Sequence, residues 1–441
     1  MKTQHHSHPT LQFVLPVILE SLFNTAVGLI FSYLIGGISG SSLTTISLGN
    51  QILNMIVATT TMLVTGSSIL CARLLGSSDK PGASHILEQT ILFTTLISLA
   101  ITLACLIFAT PLMSLLMPNA ESGVLREGIA FFRIFILCLP FTLLNNACNG
   151  ALRASGDGRS PMTVTGVICA CQLVFACIFL RLWKLGVIGA GYSYLFSRII
   201  GTALAFLFVL HSPRYMVNLR NSLKPNFSIF RRILRIGIPT SIESIFVQTG
   251  YLTANSMLIG LGTFEAAVYN VVNTLYSFAA LPQNIGIAVA MPLIGQLIGA
   301  KAYTKAKRTG WGIWAIGMLV SLLLSSLIWF FAPSLTPIYS SDPAVQSKAA
   351  KITFSAFVMC IPAISLNTLD PQLRAGGDVK YVMYVTIIAV WLIRLPLTYL
   401  FCYHWSLGAA GVFWSNTISL FFRMVCNMIR FIQGKYLYMR V

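Results

Sequence analysis

The stretch Pro16-Val-Ile-Leu-Glu20-Ser-Leu-Phe23 returns as Pro239-Thr-Ser-Ile-Glu243-Ser-Ile-Phe246, an offset of 239 − 16 = 223 residues, and this repetition indicates the architecture. The segment Leu152-Arg-Ala-Ser-Gly-Asp157 likewise returns as Leu373-Arg-Ala-Gly-Gly-Asp378, an offset of 373 − 152 = 221. Two further pairs keep nearly the same spacing: Asn50 with Asn273, and Leu185-Gly186 with Leu407-Gly408. Offsets that change so little along half of the chain indicate two copies of one structural unit.

The composition is that of an integral membrane protein. Of the 441 residues, 56% are hydrophobic and 9% are charged, and the mean hydropathy is +0.80. Soluble domains carry about 25% charged residues, so this chain has too few charges to cover a water-exposed surface. A membrane helix needs about 20 apolar residues, and the chain offers twelve such runs that lack the alternation of barrel strands. The predicted spans are 11–35, 45–71, 88–112, 128–152, 161–182, 187–210, 234–260, 267–298, 311–333, 349–373, 380–402 and 408–432.

The distribution of basic residues predicts the orientation. Lys and Arg concentrate in alternate loops and in the connector 211–233, which indicates that these loops and both termini are cytoplasmic. The net charge of +18 is therefore attributed to the inner surface of a bacterial plasma (inner) membrane rather than to a nucleic-acid partner.

Six spans per copy give both copies the same orientation. We expect an all-α integral membrane protein whose twelve helices form two parallel six-helix lobes, related by a pseudo-twofold axis along the membrane normal. The lobes are residues 1–210 and 234–441, joined by the cytoplasmic linker 211–233. This layout is typical of secondary transporters that work by alternating access, with the binding site near the bilayer midplane.

Only two acidic residues lie well inside the predicted spans, Glu20 and Glu243, each four residues after a proline. Pro16 and Pro239 remove a backbone donor, so we expect them to bend or loosen the first helix of each lobe. A carboxyl group in hydrocarbon resists ionisation, so it can take up a proton, or a sodium ion, from one side and release it on the other. The alternative is that each protonated glutamate only ties two helices together.

Polar and aromatic side chains on these helices are candidates for a substrate cavity, although interhelical hydrogen bonding and packing are the competing explanation for each. The predicted cavity residues are Asn24, Asn50, Asn54, Asn145, Asn149, Tyr251, Asn273, Tyr276 and Asn367. Arg198 and Arg394 lie in apolar helices, where each could pair with a substrate anion, bond a helix carbonyl or reach an interface. Asp370 is a weaker candidate for cation binding, and the Arg and Asp of the Leu-Arg-Ala-x-Gly-Asp segments are interpreted as fixing their loops.

The remaining reactive residue types predict no further chemistry. The ten cysteines stand in apolar runs without a Cys-x-x-Cys pair, so we expect packing residues, no disulfide, no metal site and no cofactor beyond the coupling ion, H⁺ or Na⁺. No span carries clustered carboxylates or a His/Asp constellation, which disfavours a membrane-embedded enzyme. A twofold repeat supplies no ring of like residues, which disfavours a channel.

In combination, several motifs resemble the multidrug and toxic compound extrusion (MATE) family over nearly the whole chain. They are the two proline-containing first helices, Arg73-Leu-Leu-Gly-Ser77, Gln296-Leu-Ile-Gly-Ala300, the twin Leu-Arg-Ala-x-Gly-Asp segments and Arg235-Ile-Gly-Ile-Pro239. The resemblance implies a multidrug exporter of amphipathic, often cationic compounds, driven by proton or sodium entry. Its partners are then small molecules and membrane lipid, and we expect a monomer.

One departure concerns the coupling ion. Many bacterial members carry an Asp in the first helix where this chain has Phe31-Ser32, so the cation site of that lobe is not carried over. Glu20 replaces it, or coupling runs through Glu243, or coupling is weak. The alternative function is a flippase or exporter of a lipid-linked or other endogenous metabolite in the same superfamily. The major facilitator class is disfavoured because Gly76-Ser-Ser-Asp79-Lys80-Pro-Gly82-Ala83 lacks the closing basic residues of its loop motif.

Overall fold

The computed structural model describes residues 9–36, 56–57, 60, 62–116, 122–217, 224–280, 283 and 286–439. Every regular element within these ranges is helical, and none is a β-strand. The all-α fold class is confirmed. Asn50 and Asn54 lie outside the described residues, as does most of the predicted second span.

The helices that precede the connector are α1 Pro9–Gly36, α2 Met62–Gly76, α3 Lys80–Ile107, α4 Ala109–Leu116, α5 Ser122–Ile136, α6 Cys138–Ala154, α7 Arg159–Leu182 and α8 Gly186–Leu210. Those that follow it are α9 Phe227–Ile259, α10 Thr263–Ala279, α11 Met291–Gly299, α12 Tyr303–Phe330, α13 Ala332–Tyr339, α14 Pro343–Ala375, α15 Val379–His404 and α16 Ala409–Gln433. Pro16 lies inside α1 and Pro239 lies inside α9, as their sequence positions predict. Helix α9 begins at Phe227, within the predicted connector.

Seven of the described helical segments are long and apolar enough to cross a membrane. They are α3, the continuous segment Leu125–Ala154, α7, α8, α12, α14 and α15. Two shorter apolar helices, Met62–Gly76 and Ala288–Gly299, accompany them. The protein is therefore a multi-pass membrane protein, and the total of twelve spans stays a prediction.

Contacts divide the chain into two compact units, Met1–Gly237 and Ile238–Val441. In the first unit α8 packs against α5, α6 and α7, while α1 packs along α7. In the second unit α14 is the central helix and packs against α10, α12 and α16. The lobe and linker boundaries predicted from the sequence stay a prediction.

Short loops are closed by aspartates that cap the next helix. Asp79 accepts a hydrogen bond from the Gly82 amide at 2.9 Å at the start of α3, and Asp342 accepts one from the Ala344 amide at 2.9 Å at the start of α14. Asp157 accepts hydrogen bonds from the Arg159 and Ser160 amides at 3.0 and 3.1 Å and so caps α7. Each carboxylate satisfies amide donors that a helix start leaves free, and this fixes where the helix begins.

The connector is bound to the first unit by hydrogen bonds. The Tyr215 hydroxyl donates to the Ala151 carbonyl at 2.7 Å, and the Gln89 side chain donates to the Lys224 carbonyl and accepts from the Asn226 amide, both at 2.8 Å. The described parts of the connector are therefore packed onto the helices of the first unit.

Candidate cation-coupling and substrate sites

Glu20 of α1 is held by two other helices of the first unit. Its Oε1 accepts a hydrogen bond from Arg153 Nη2 at 2.6 Å and another from Thr165 Oγ1 at 3.1 Å. Arg153 is in the last turn of α6, and Thr165 is on α7. The glutamate side chain is 12% exposed, so the carboxylate is mostly buried beside its own counter-charge.

Glu243 of α9 has the same surroundings in the second unit. Arg374 Nη2 donates to its Oε2 at 2.8 Å, and Thr386 Oγ1 donates to its Oε1 at 2.9 Å. The three residues follow their first-unit counterparts at the repeat spacing (243 − 20 = 223, 374 − 153 = 221, 386 − 165 = 221). We call each set a Glu–Arg–Thr triad. The triad brings together one acidic residue that the sequence singled out, one arginine interpreted there as fixing a loop, and a threonine that was not considered.

The second-unit triad is extended by a further ion pair. Arg423 Nη2 of α16 lies 2.8 Å from Asp370 Oδ2 and 3.5 Å from Glu243 Oε1. Asn427 Nδ2 donates to Asp370 Oδ1 at 2.5 Å. Asp370, a weaker cation-binding candidate in the sequence, thus lies beside an arginine and an amide. Two carboxylates and two guanidinium groups balance in charge within this cluster.

The first unit lacks this extension. The repeat spacing matches Asp370 with Asn149 (370 − 221 = 149) and Arg423 with Gly201 (423 − 222 = 201). A Cβ at Gly201 would lie only 2.1 Å from Ile168 Cγ1, so α7 and α8 approach each other closely where the second unit accommodates an arginine. Among the described residues, Glu20 therefore contacts one arginine, whereas Glu243 lies near two.

The predicted amides of the first unit fall into two places. Asn145 and Asn149 are buried on α6, where Asn149 Nδ2 donates to Asn145 Oδ1 at 3.4 Å. Asn24 lies one turn after Glu20 on α1 and donates to the Glu20 carbonyl at 3.1 Å. Asn24 thus lies next to the triad, whereas the α6 pair lies inside the bundle.

In the second unit, the structure brings two predicted cavity residues together through a glutamine that sequence reasoning missed. Gln283 Nε2 donates to the Tyr276 hydroxyl at 3.2 Å, and Asn367 Nδ2 donates to Gln283 Oε1 at 3.1 Å. Asn273 is on the same helix as Tyr276 but is exposed. Three residues after Gln283, the backbone of Gly286 lies tightly against α14. A Cβ at Gly286 would lie 1.5 Å from the Asn367 carbonyl oxygen.

Tyr251, another predicted cavity residue, contacts Arg394 of α15. The guanidinium carbon lies 3.9 Å from the centroid of the Tyr251 ring, the distance of a close cation–π contact. Arg394 is 2% exposed. This arginine does not reach an interface, which answers one of the alternatives that the sequence left open.

Phe31 is buried in an aromatic cluster of the first unit. Its ring meets Tyr194 edge to face, with centroids 5.0 Å apart. The position at which many MATE members carry an aspartate is thus apolar packing here. Across the described ranges, no set of three or more His, Cys, Asp or Glu side chains is grouped as a metal site would require.

The sequence profile of the MatE family matches residues 16–178 and again residues 239–400. The chain belongs to the MatE family. The two matched stretches begin 239 − 16 = 223 residues apart, which is the offset of the internal repeat. This MatE protein is a membrane transporter.

Relatives and solved structures agree with this assignment. The chain is 23% identical to the probable multidrug resistance protein NorM of Thermotoga maritima, over 97% of this chain and 92% of that protein. It is 27% identical to the uncharacterized transporter YisQ of Bacillus subtilis, over 92% and 89%.

Among solved structures, an outward-facing multidrug resistance MATE transporter of the MOP superfamily superposes with a TM-score of 0.88 at 20% identity, covering 98% of this chain and 96% of that one. A MOP superfamily transporter from Pyrococcus furiosus, described as having a binding pocket of reverse polarity, superposes with a TM-score of 0.87 at 20% identity, covering 97% of this chain and 94% of that one. At this identity the likeness shows the MatE fold alone.

Proposed function

We propose that this protein is a secondary active exporter that antiports amphipathic or cationic organic compounds against H⁺ or Na⁺ by alternating access. The observation that carries the proposal is the Glu–Arg–Thr triad, which recurs in both matched halves at the repeat spacing. A charged pair inside a membrane helix bundle is costly to bury, and Gln with Thr would tie the same helices without charge. The retained charge is therefore assigned to ion coupling.

The triad suggests how a cation acts on the bundle. In each unit the ionised glutamate holds an arginine from the helix that ends in the Leu-Arg-Ala-x-Gly-Asp segment. A proton on the carboxylate, or a sodium ion beside it, removes or shares the charge that attracts the guanidinium. The contact between the first helix and α6 or α14 then weakens, and the bundle is free to rearrange. Binding of cation and binding of drug are coupled negatively and reciprocally in this scheme.

The two triads are not expected to contribute equally. Glu20 is 12% exposed and contacts one arginine, whereas Glu243 is 5% exposed and has a second guanidinium 3.5 Å away. An incoming cation competes with less positive charge at Glu20, and water reaches Glu20 more easily. We propose that Glu20 is the main coupling residue, while Glu243 mainly fixes the second bundle.

The test is efflux from proteoliposomes with proton and sodium gradients imposed separately. A fluorescent cationic dye serves as substrate, and the variants are Glu20→Gln, Glu243→Gln and the double variant. We expect Glu20→Gln to lower gradient-driven efflux at least tenfold and Glu243→Gln to lower it less. Glu265→Gln is the matched control, because Glu265 also pairs with a basic residue, Lys348, but lies outside both triads. Wild-type efflux with unchanged ion dependence in the double variant would eliminate the mechanism.

The charge distribution also suggests where and how the protein lies in the membrane. We propose a monomer in the bacterial inner membrane, with both termini and the connector cytoplasmic, that acts on small molecules, uses no cofactor besides its coupling ion and binds no nucleic acid. The excess of Lys and Arg in the connector and alternate loops supports this orientation. A reporter fused to the C-terminus tests it: green fluorescent protein is expected to fluoresce there, and alkaline phosphatase is expected to be inactive.

A further inference from the structure

Arg394 is a buried cation for which the proposed coupling scheme has no role. It lies within the span α15 and is 2% exposed, and its guanidinium stacks on the ring of Tyr251. Its Nε is enclosed without a hydrogen-bond partner. A positive charge in such surroundings requires an anionic or strongly polar counterpart.

The carboxylates of the second unit are engaged elsewhere, except Asp342, which caps a helix. Glu243 and Asp370 pair with Arg374 and Arg423, Glu265 pairs with Lys348, and Asp378 pairs with Arg430. Arg394 makes no ion pair and its side chain donates no hydrogen bond within the part of the chain that the structure describes. Among its described residues, the second unit thus balances its other buried charges and leaves one guanidinium uncompensated.

The surroundings of Arg394 are aromatic. Tyr251 lies against the guanidinium, and Tyr269 of α10 lies within electrostatic range of both. Tyr276, about two helical turns after Tyr269 on α10, lies within electrostatic range of Tyr251 and Tyr269 and accepts a hydrogen bond from the Gln283 amide. Two phenol rings beside one cation suit a ligand with a flat apolar part and a negative group.

Two purely structural explanations for the position of Arg394 do not fit its surroundings. An arginine that extends to the membrane interface needs exposed terminal atoms, but this side chain is enclosed by protein. An arginine that ties helices together donates to backbone carbonyls, and no such bond forms among the described residues. The stack on Tyr251 holds the planar guanidinium in a fixed orientation, which suits it to bidentate binding of a carboxylate, sulfonate or phosphate.

We propose that Arg394 is the anchor of an anion subsite, which binds the negative group of amphipathic aromatic substrates while Tyr251 and Tyr269 contact their rings. The proposal rests on the exporter function above and extends its substrate class beyond cations to compounds with an aromatic carboxylate, sulfonate or phosphate, including zwitterions. It assigns anion recognition to the second unit and leaves ion coupling to the triads.

The test compares two probes that share one ring system. Purified protein in detergent is titrated with 1-naphthoate and with the neutral 1-naphthamide, and binding is followed by quenching of tryptophan fluorescence. We expect wild-type protein to prefer the naphthoate by about tenfold to a hundredfold, the range that charge-assisted hydrogen bonds supply. Equal affinities in the wild type would overturn the proposal without the need for any variant.

Variants then assign the preference to Arg394. Arg394→Gln is expected to abolish the preference while 1-naphthamide affinity stays within a few-fold, and Arg394→Lys is expected to retain part of it. Lys351→Gln, which removes an exposed positive charge from the same unit, is the control and leaves the preference unchanged. A preference that persists in Arg394→Gln would refute the assignment, and so would its loss in the control. If Arg394→Gln does not fold, Arg394→Lys decides, because an undiminished preference there excludes bidentate binding.

These titrations use no ion gradient, so their outcome is independent of coupling. Naphthoate preference with gradient-independent efflux would refute the proposed antiport and leave the anion subsite intact. Coupled efflux of the cationic dye without naphthoate preference would do the reverse.

Discussion

Asp370→Asn tests how far the second unit depends on its additional ion pair. The substitution keeps the shape of the side chain and removes the charge that faces Arg423 Nη2 at 2.8 Å. Arg423 is then left with Glu243, whose nearer oxygen is 3.5 Å away and which already pairs with Arg374. One guanidinium therefore lacks a full partner inside the bundle.

The size of the effect follows from burial. Removing one partner of a buried pair costs about 3–5 kcal/mol. The side chains of Asp370 and Arg423 are 8% and 11% exposed, and Glu243 stays as a partial partner, so the lower end applies. We expect Asp370→Asn to lower the free energy of unfolding by about 3 kcal/mol.

The repeat supplies the compensating variant. The first unit has Asn149 and Gly201 at the equivalent positions and packs its helices without this pair. The double variant Asp370→Asn/Arg423→Gln removes both charges, so we expect it to recover about 2 kcal/mol of the loss.

Unfolding of purified protein by SDS in mixed micelles, followed by tryptophan fluorescence, measures these differences. Asp342→Asn is the control, because Asn caps a helix about as well as Asp, so we expect little loss of stability at this exposed position of the same unit. A single variant as stable as the control variant, or a double variant no more stable than the single one, would refute the reasoning.

Three further predictions concern glycines and the connector. Gly408→Ala is expected to cost more stability than Gly186→Ala, its repeat counterpart. Both glycines have a φ near +60° (58° and 59°), but only at Gly408 would the added Cβ lie 2.2 Å from a carboxylate oxygen of Glu265. Equal losses of melting temperature in the two variants would contradict this prediction. Gly286→Ala is expected to destabilise by at least about 1–3 kcal/mol because its Cβ would lie 1.5 Å from a carbonyl oxygen of α14, and a wild-type melting temperature would exclude that close approach. Burial raises the pKa of the Tyr215 phenol well above 10. The stabilisation by the neutral phenol is therefore complete below the pKa of the unfolded chain and is lost as the pH rises through the pKa of the folded protein. Tyr215→Phe is expected to lose less stability than wild type between pH 9 and pH 11, and equal losses in the two proteins would contradict this prediction.

The part of the architecture that depends on composition and repetition was predictable. Apolar runs of about 20 residues and the 223-residue offset indicated a duplicated helical membrane protein, and the MatE match at residues 16–178 and 239–400 confirms the family. Helix ends were less predictable. Helix α9 begins at Phe227 because the Asn226 side chain accepts hydrogen bonds from the amides of Ser228 and Ile229. This capping residue lies within the charge-rich connector, where the sequence pattern predicted no helix.

The partners of the two glutamates could not be predicted from one copy. Glu20 and Arg153 are 133 residues apart, and a helix-end arginine beside glycine and aspartate has an adequate local explanation as a loop residue. The usable signal was the joint recurrence of glutamate, arginine and threonine at matched spacing.

Arg423 and Asp370 carried no signal of that kind, because their counterparts are glycine and asparagine. Arg394 was visible as a cation in an apolar run, but only the structure shows that it is enclosed, stacked on Tyr251 and away from any interface.

The anchoring of the connector has a practical consequence for dividing the polypeptide. Residues 211–217 and the segment from Lys224 to Gly237 both belong with the first bundle, through Ala151 and Gln89 among others. A cleavage site engineered between positions 217 and 224 would leave residues 224–237 at the start of the downstream fragment. These residues would still pack against the upstream fragment. Two co-expressed fragments cut there are expected to co-purify.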